Sequence, residues 1–308
     1  MNPRPASERA VALAPLIVGV DGSERSRDAL ALAVQLAEPG QGVVLAHVHP
    51  YGQLADLLSG GDYERLVREV AESTLSATQE TLPPGTERAM QLVSNRSPAA
   101  GLHDLAAEQN AALIVVGSSH RSGLGRVLAG TVAESVLAGS PVPVAIAPRG
   151  LAGSEDSIRI VGCGFDGSPE AHEALGWAAD IARRRRARLE VLAVHPRIAF
   201  AGVSSAGAFG YQSADETLRR TLEKQMRDAI ASLRPGVGAS GRLLGGDPST
   251  ALVDASKEVD LLTLGSRGYG PIRTVLLGSV SRTLVREGAC SVVVLPRGAG
   301  TNRADAAQ

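Results

Sequence analysis

The feature that most constrains this chain is that it repeats itself. "LIVGVDGSERSRDALALAVQLA" (16–37) resembles "IVGCGFDGSPEAHEALGWAADIA" (160–182). Each is a short β-rich run, an Asp-Gly-Ser turn and then a helical pattern, with Asp21 and Asp166 corresponding. Further on, "VVLAHVHP" (43–50) mirrors "VLAVHP" (191–196), and "ALIVVGSSH" (112–120) mirrors "DLLTLGSRG" (260–268). Last, "PVPVAIAPRG" (141–150) mirrors "CSVVVLPRG" (290–298). A period this long means duplicated domains and not a solenoid. The expected domains are 1–150 and 151–308, here called half one and half two, joined by the Gly- and Ser-containing linker "RGLAGSEDS" (149–157).

Within each half, apolar runs alternate with segments of helical period. Strands are expected near 15–20, 42–48, 87–93, 112–117 and 142–147, and helices near 24–37, 63–81, 98–109 and 126–138. Half two repeats the pattern, with strands near 159–165, 189–194, 239–244, 260–265 and 291–295. Runs such as Ala112–Val116 and Ser291–Leu295 are continuously apolar, which suits parallel strands covered on both faces. The expectation is therefore an α/β chain of two tandem doubly wound, mostly parallel five-stranded open sheets, flavodoxin-like in order. Ligands in such sheets sit at the carboxyl ends of strands, at the switch point. Asp21 and Asp166 follow the first strands and Gly117 and Gly265 end the fourth, so these motifs should converge there. The fifth strands should lie at sheet edges, which are normally paired or covered.

Composition narrows the function. The 308 residues carry a net charge of −1 and only 3% aromatics, which argues against a dedicated nucleic-acid binder. Two cysteines, Cys163 and Cys290, make a disulfide scaffold improbable for this length and point to a reducing cytoplasm, with both thiols packed in strands. No apolar run is long enough to cross a membrane. Residues 1–14 read as a disordered lead and 299–308 as a polar tail.

The segment "GSRGYGPIRTVLLGS" (265–279) leaves a strand and enters a helix. Its glycines permit φ > 0 and close backbone approach, and Gly278, Ser279 and Val280 would present amides and a hydroxyl to phosphate oxygens. The bland alternative is a turn with small residues for packing. In half one, "GSSHRSGLGRVLAGT" (117–131) keeps Gly117, Gly130 and Thr131, but His120 stands where half two has Gly268. Ser118, Ser119, Ser122, Gly123 and Arg126 complete that loop. His120 and Arg121 read either as donors to phosphate or as exposed loop side chains. Asp-Gly-Ser is also ordinary turn and N-cap chemistry. His47, His49 and His195 read as strand-end residues, without metal-ligand spacing. "RRRRAR" (183–188) reads as a solvated helix end whose cations suit the dipole. "IAFAGVSSAGAFGYQSA" (198–214) reads as a lid bearing Phe200, Phe209 and Tyr211, or as a mobile loop.

With these residues assembled, the chain resembles the universal stress protein family in its tandem two-domain form, over about 15–148 and 158–297. The most specific element is G-x2-G-x9-G-[S/T], complete in half two as Gly265, Gly268, Gly278 and Ser279. The resemblance implies an adenine-nucleotide alpha-hydrolase-like fold that binds ATP, with Mg²⁺ on the phosphates as a further expectation. It implies that Asp21 and Asp166 contact ribose or adenine, with Gly19 and Gly164 close by. Val48 and Val194 would meet adenine through the backbone. Gly265, Ser266, Arg267, Gly268, Tyr269, Gly270 and Pro271, with Gly278, Ser279 and Val280, would hold ribose and phosphates. It also implies that the fifth strands meet across the domain pair, and a homodimer beyond that. Neither lysine, Lys224 nor Lys257, lies in a glycine loop, and no Walker B acid or hydrolase triad is present. The expected function is a cytoplasmic stress-response sensor or regulator that binds nucleotide and an unidentified protein partner. The alternatives are a slow ATPase and an interaction module that has lost the nucleotide.

Overall fold

The computed structural model describes residues 13–49, 88–118, 132–154, 157–196, 205–266 and 278–296, with isolated positions between 65 and 76. Half one contributes β1 (Leu16–Gly19), α1 (Glu24–Leu36), β2 (Val43–His49), β3 (Arg88–Ser94), α2 (Pro98–Glu108), β4 (Leu113–Gly117), α3 (Val132–Leu137) and β5 (Val144–Ala147). Half two contributes β6 (Ile160–Gly164), α4 (Pro169–Arg185), β7 (Arg188–His195), α5 (Ser205–Ala231), β8 (Ala239–Gly245), α6 (Pro248–Ala255), β9 (Leu261–Gly265), α7 (Ser279–Glu287) and β10 (Ser291–Leu295). Three helices start on the same local code. Ser97, Ser168 and Asp247 each precede a proline, and their side-chain oxygens accept the amides of Ala100, Ala171 and Thr250 at 3.3, 3.2 and 3.0 Å. Proline at the first helical position loses no bond there and is pre-set for the helix.

The strands form one ten-stranded sheet, ordered β3-β2-β1-β4-β5-β10-β9-β6-β7-β8. Every pairing is parallel except β5 with β10, where Val292 faces Ile146, Val293 faces Ala145 and Val294 faces Val144. Each half is thus a five-stranded open sheet of order 3-2-1-4-5. Its first and fourth strands are neighbours at the reversal, the arrangement the crevice requires. The antiparallel seam joins the two expected edge strands and relates the halves by a pseudo-twofold axis. Alternate strand residues feed two apolar layers, with Leu16 and Val18 facing one and Ile17 the other. One layer is closed by α1, α4 and α5, the other by α2, α3, α6 and α7. Both layers run across the seam.

Polar clamps reinforce the seam, and they overturn one expectation. The arginines of "RRRRAR" are not a merely solvated helix end. Arg185 Nη2 donates to the carbonyls of Val34 and Ala37 at 3.1 and 3.4 Å, and Arg184 pairs with Glu38 at 2.8 Å. The last turn of α4 in half two therefore caps the last turn of α1 in half one, where unpaired carbonyls favour cations. The linker is also fastened. Asp28, 3% exposed on α1, accepts the amides of Gly150 and Ala152 at 3.0 and 2.9 Å. The 198–214 segment departs as well: from Ser205 onward it belongs to the 27-residue helix α5, not to a loop. Phe200 lies outside the described residues, as do the side chains of Phe209 and Tyr211.

Two glycine pairs explain why the crevice ends of the halves look alike. Gly22 and Gly167, in the Asp-Gly-Ser turns, adopt φ of 80° and 78°, which side chains resist. Gly117 and Gly265, ending β4 and β9, do not have positive φ. At these two positions the alternative of small residues for close packing holds. A Cβ on Gly117 would lie 2.4 Å from the carbonyl oxygen of Arg25, and one on Gly265 2.6 Å from that of Glu170. The missing side chain lets α1 and α4 start directly against the fourth strands. Gly278 has φ −70° and ψ 166°, ordinary extended backbone.

These contacts set two expectations for stability. Val293 is 0% exposed at the seam, and an unpaired buried charge costs about 3–5 kcal/mol. Val293→Asp should lower the denaturant midpoint accordingly and expand the chain in small-angle scattering. Gly265→Ala should cost about 1–3 kcal/mol because backbone must move. By contrast Gly176→Ala, mid-helix with nothing within 4 Å of the new Cβ, should stabilise by about 0.5–1 kcal/mol.

Candidate functional site

The carboxyl ends of β6, β7 and β9 and the start of α7 enclose a cavity of about 560 Å³, within the range of small-molecule sites. Its apolar wall is Phe165, Leu192, Val194, Leu252 and Leu264, closed by Leu222 from α5. Its polar wall is Asp166, Ser168, Glu170, Ser266 and Ser281, with the backbone of Gly164, Gly265 and Gly278. Of the half-two residues singled out in the sequence, Gly164, Asp166, Val194, Gly265, Ser266, Gly278 and Val280 therefore meet in one place. Ser279 is exposed in the same helical turn. Arg267, Gly268, Tyr269, Gly270 and Pro271 lie outside the described residues.

Two features beside this cavity leave donors unspent. Ser266 is 1% exposed and its Oγ has no hydrogen-bond partner among the described residues. Its backbone is already committed, the amide donating to Leu295 O at 2.8 Å. A buried hydroxyl without a partner is costly. The second feature is α7. Its N-cap is Gly278, with no side-chain cap, and its first intrahelical bond is Arg282 N–H to Gly278 O at 3.0 Å. The amides of Ser279, Val280 and Ser281 precede that bond, at the positive end of the helix dipole.

Asp166 is held by its own turn. Its Oδ1 accepts Ser168 N–H at 3.0 Å and Ser168 Oγ–H at 2.5 Å, while Ser168 Oγ accepts Ala171 N–H. One serine thus caps α4 and fixes the carboxylate through Oδ1, leaving Oδ2 outside those bonds. His172 packs edge-on against Phe165, ring centroids 5.0 Å apart, and its Nδ1 lies 2.9 Å from Ser168 O. Leu222 and Phe165 were not singled out in the sequence. The position of Phe165, between β6 and the Asp-Gly-Ser turn, was a usable signal; nothing marked Leu222, which lies 56 residues after Asp166 on α5.

Half one assembles the same frame with different chemistry. Gly19, Asp21, Val48, Gly117 and Ser118 gather at the ends of β1, β2 and β4. Asp21 Oδ1 accepts Ser23 N–H, Ser23 Oγ–H and Ser26 Oγ–H at 3.0, 2.5 and 2.8 Å. Burial pushes this carboxyl up, but the Ser23 and Ser26 hydroxyls, the Ser23 amide and the Arg25 charge together hold it below its ordinary 3.8. It is therefore ionised at neutral pH. His47 occupies the position that is Ala193 in half two. Burial, with the His49 charge, holds its imidazole below 6.5, against the opposing pull of the Val20 backbone and Asp21, and its buried Nδ1 has no hydrogen-bond partner among the described residues. Val48 packs toward α2, where a Cβ on Gly101 would come within 2.9 Å of it. Ser119, His120, Arg121, Ser122, Gly123, Arg126, Gly130 and Thr131 lie outside the described residues.

The remaining reactive side chains are structural. Burial pushes the Cys163 and Cys290 thiols up to about 12, so neither is a thiolate nucleophile near neutral pH. His49 ends β2 and bonds Ser94 Oγ at 3.0 Å; His195 ends β7 with Nε2 3.3 Å from Asp215 Oδ1. Among the described residues, no three His, Cys, Asp or Glu side chains come together as a metal site.

Comparison with known proteins matches this architecture. The universal stress protein family model fits twice, over residues 14–148 and 157–296. A universal stress protein of Mycobacterium tuberculosis is 26% identical over 295 residues, covering 91% of this chain and 99% of that one. Another, from Mycolicibacterium smegmatis, is 30% identical over 189 residues, 61% of this chain and 63% of its own length. Among solved structures, a universal stress protein from Archaeoglobus fulgidus superposes with a TM-score of 0.61 at 21% identity, over 92% of this chain and 98% of that one. With the model matched across both halves, this chain belongs to the universal stress protein family, as a tandem of two such domains.

Proposed function

We propose that this protein binds an adenine nucleotide in the half-two cavity and in the related crevice of half one, and acts as a nucleotide-dependent regulator. The observation that carries this reading is the convergence of the orphaned, buried Ser266 hydroxyl and the uncapped start of α7 on one 560 Å³ cavity with an apolar wall. The wall formed by Phe165, Leu192, Val194, Leu222 and Leu252 would take the base. Asp166, oriented by Ser168, would accept a ribose or base hydrogen. The amides of Ser279 and Val280 would take phosphate oxygens, as helix N-termini do. Asp21, Val48, Gly117 and Ser118 would do the corresponding work in half one.

The phosphate contacts this reading invokes are backbone amides, which favours binding over turnover. Backbone donors that hold ground state and transition state alike do not accelerate a reaction. Mg²⁺ would arrive with the nucleotide's phosphates and not in a protein cage. The domains proposed are 1–150 and 151–308. The cytoplasm is the proposed setting, on the two unpaired, buried thiols. Because β5 and β10 are consumed within the chain, a homodimer would use another surface.

The test is thermal melting with added nucleotide. A ligand that binds only the folded state raises stability by about 2.7 kcal/mol at a hundredfold excess over Kd. ATP should raise the melting temperature, GTP should raise it less, and Gly278→Glu should abolish the half-two share by setting a bulky anion at the phosphate position. Equal shifts with both nucleotides, or none with either, contradict the reading.

A further inference from the structure

The 27-residue helix α5 carries a carboxylate on its packing stripe. Asp215, Leu218, Leu222, Met226 and Ala229 recur at intervals of three and four, one face of a helix. Exposure along this stripe is graded. Met226 and Ala229 are 5% and 3% exposed within the apolar layer. Met226 lies so close to β8 that a Cβ on Gly241 would come 2.8 Å from its Cε. Leu218 and Leu222 are only half-buried. The later turns are therefore anchored in the core more firmly than the earlier ones. The earlier turns have support of their own, because Glu216–Arg220, Arg219–Glu223 and Lys224–Asp228 pair along the helix at 2.9, 3.2 and 2.6 Å. Such pairs stabilise a helix without tertiary packing.

These earlier turns wall the half-two cavity. Asp215 meets His195, the residue after Val194 at the end of β7. The imidazole Nε2 lies 3.3 Å from Asp215 Oδ1 and 3.3 Å from the Asp215 carbonyl oxygen. His195 is fixed in the sheet, its own carbonyl accepting Gly246 N–H at 3.0 Å. Two turns further on, Leu222 lines the cavity. At Gln225 the helix reaches the Asp-Gly-Ser turn, where a Cβ on Gly167 would lie 2.8 Å from Gln225 Oε1. Ten residues of helix, about 15 Å, thus run beside the cavity from the end of β7 to the turn that holds Asp166. The imidazole–carboxylate contact ties the upper end of that wall to the sheet.

We propose that His195 and Asp215 are positioning residues that hold α5 against the half-two cavity, so that their contact sets how often the cavity opens for exchange. What exchanges rests on the nucleotide reading; the motion of the helix does not. The turns around Met226 and Ala229 are the pivot, and the self-supported turns before them are the arm that carries Leu222. Losing the His195–Asp215 contact frees the arm without unpacking the pivot, the kind of local opening that proceeds below the free energy of global unfolding. Neither side chain lines the cavity, so the contact acts through α5 and not on the ligand itself.

The experiment is the rate of maleimide labelling of the full chain. Leu222→Cys puts a thiol on the arm and Ala229→Cys puts one on the pivot. The native Cys163 and Cys290, 0% and 7% exposed, supply only a slow background. Adding His195→Ala or Asp215→Ala should quicken labelling at 222 by about two- to fivefold, the size expected for one partly exposed polar contact. Removing both partners should do no more than removing either, since they act as one contact. His195→Gln, which keeps a donor, should restore most of the original rate. Labelling at 229 should stay slow throughout. An unchanged rate at 222 overturns the proposal. So does an equal acceleration at 222 and 229, which means that the whole half has loosened. Mg·ATP should slow labelling at 222, and Gly278→Glu should abolish that protection. If Mg·ATP gives no protection while the His195 and Asp215 variants still quicken labelling at 222 alone, the helix motion stands and the nucleotide reading falls.

Discussion

The antiparallel pairing of β5 with β10 is the interaction on which the rest of the molecule depends. Each half alone would end in a strand of fully buried type: Val144, Ala145 and Ile146 on one side, Val292, Val293 and Val294 on the other, all 3% exposed or less. An apolar edge of this kind invites uncontrolled pairing. Joining the two edges inside one chain removes both, and full burial of each Val or Ile contributes about 1.5–3 kcal/mol. The other cross-seam contacts follow from the geometry this pairing creates. It sets α4 against α1, so that arginines meet bare carbonyls, and sets α7 against α3, so that Arg286 meets Glu134. It also fastens the linker over Asp28. The two crevices consequently have a fixed relation to each other.

Much of this fold was legible because parallel strands covered on both faces leave an unambiguous trace. All ten strands were expected within two residues of where they lie, since β4 and β5 are unbroken apolar runs between turns and β9 and β10 are interrupted only by Thr263 and Ser291. Duplication doubled the signal, and Asp21 and Asp166 marked the switch point twice. The misreadings have physical causes. The start of α5 contains Gly207 and Gly210 among Ala and Ser, a composition with low intrinsic helicity, and the apolar contacts of its later turns stabilise the helix. The arginine run showed a helix end correctly but could not show that another helix end lies against it, because that partner is about 150 residues away. Gly117 and Gly265 were marked by motif, with conformational and packing roles both open. A glycine needed for room and one needed for positive φ look the same in a sequence. Leu222 carried no local signal at all.

The same frame with different linings explains why two similar domains persist in one chain without being interchangeable. Half two offers an apolar pocket beside which Ser266 Oγ has no hydrogen-bond partner among the described residues. Half one places His47 and Ser26 where half two has Ala193 and Ala171, and Ser26 adds a third hydrogen bond to Asp21. A carboxylate so heavily bonded is a fixed charge and not a titrating acid. Positioned donors and a shaped apolar wall suit recognition.

The central claim is that these crevices hold an adenine nucleotide, and the most direct measurement is mass spectrometry of the small molecules released when freshly purified protein is denatured. The account predicts an adenine nucleotide, present in wild type and depleted when Gly278→Glu blocks the half-two cavity. Protein that releases no nucleotide, and stays empty after incubation with excess Mg·ATP and desalting, would contradict it.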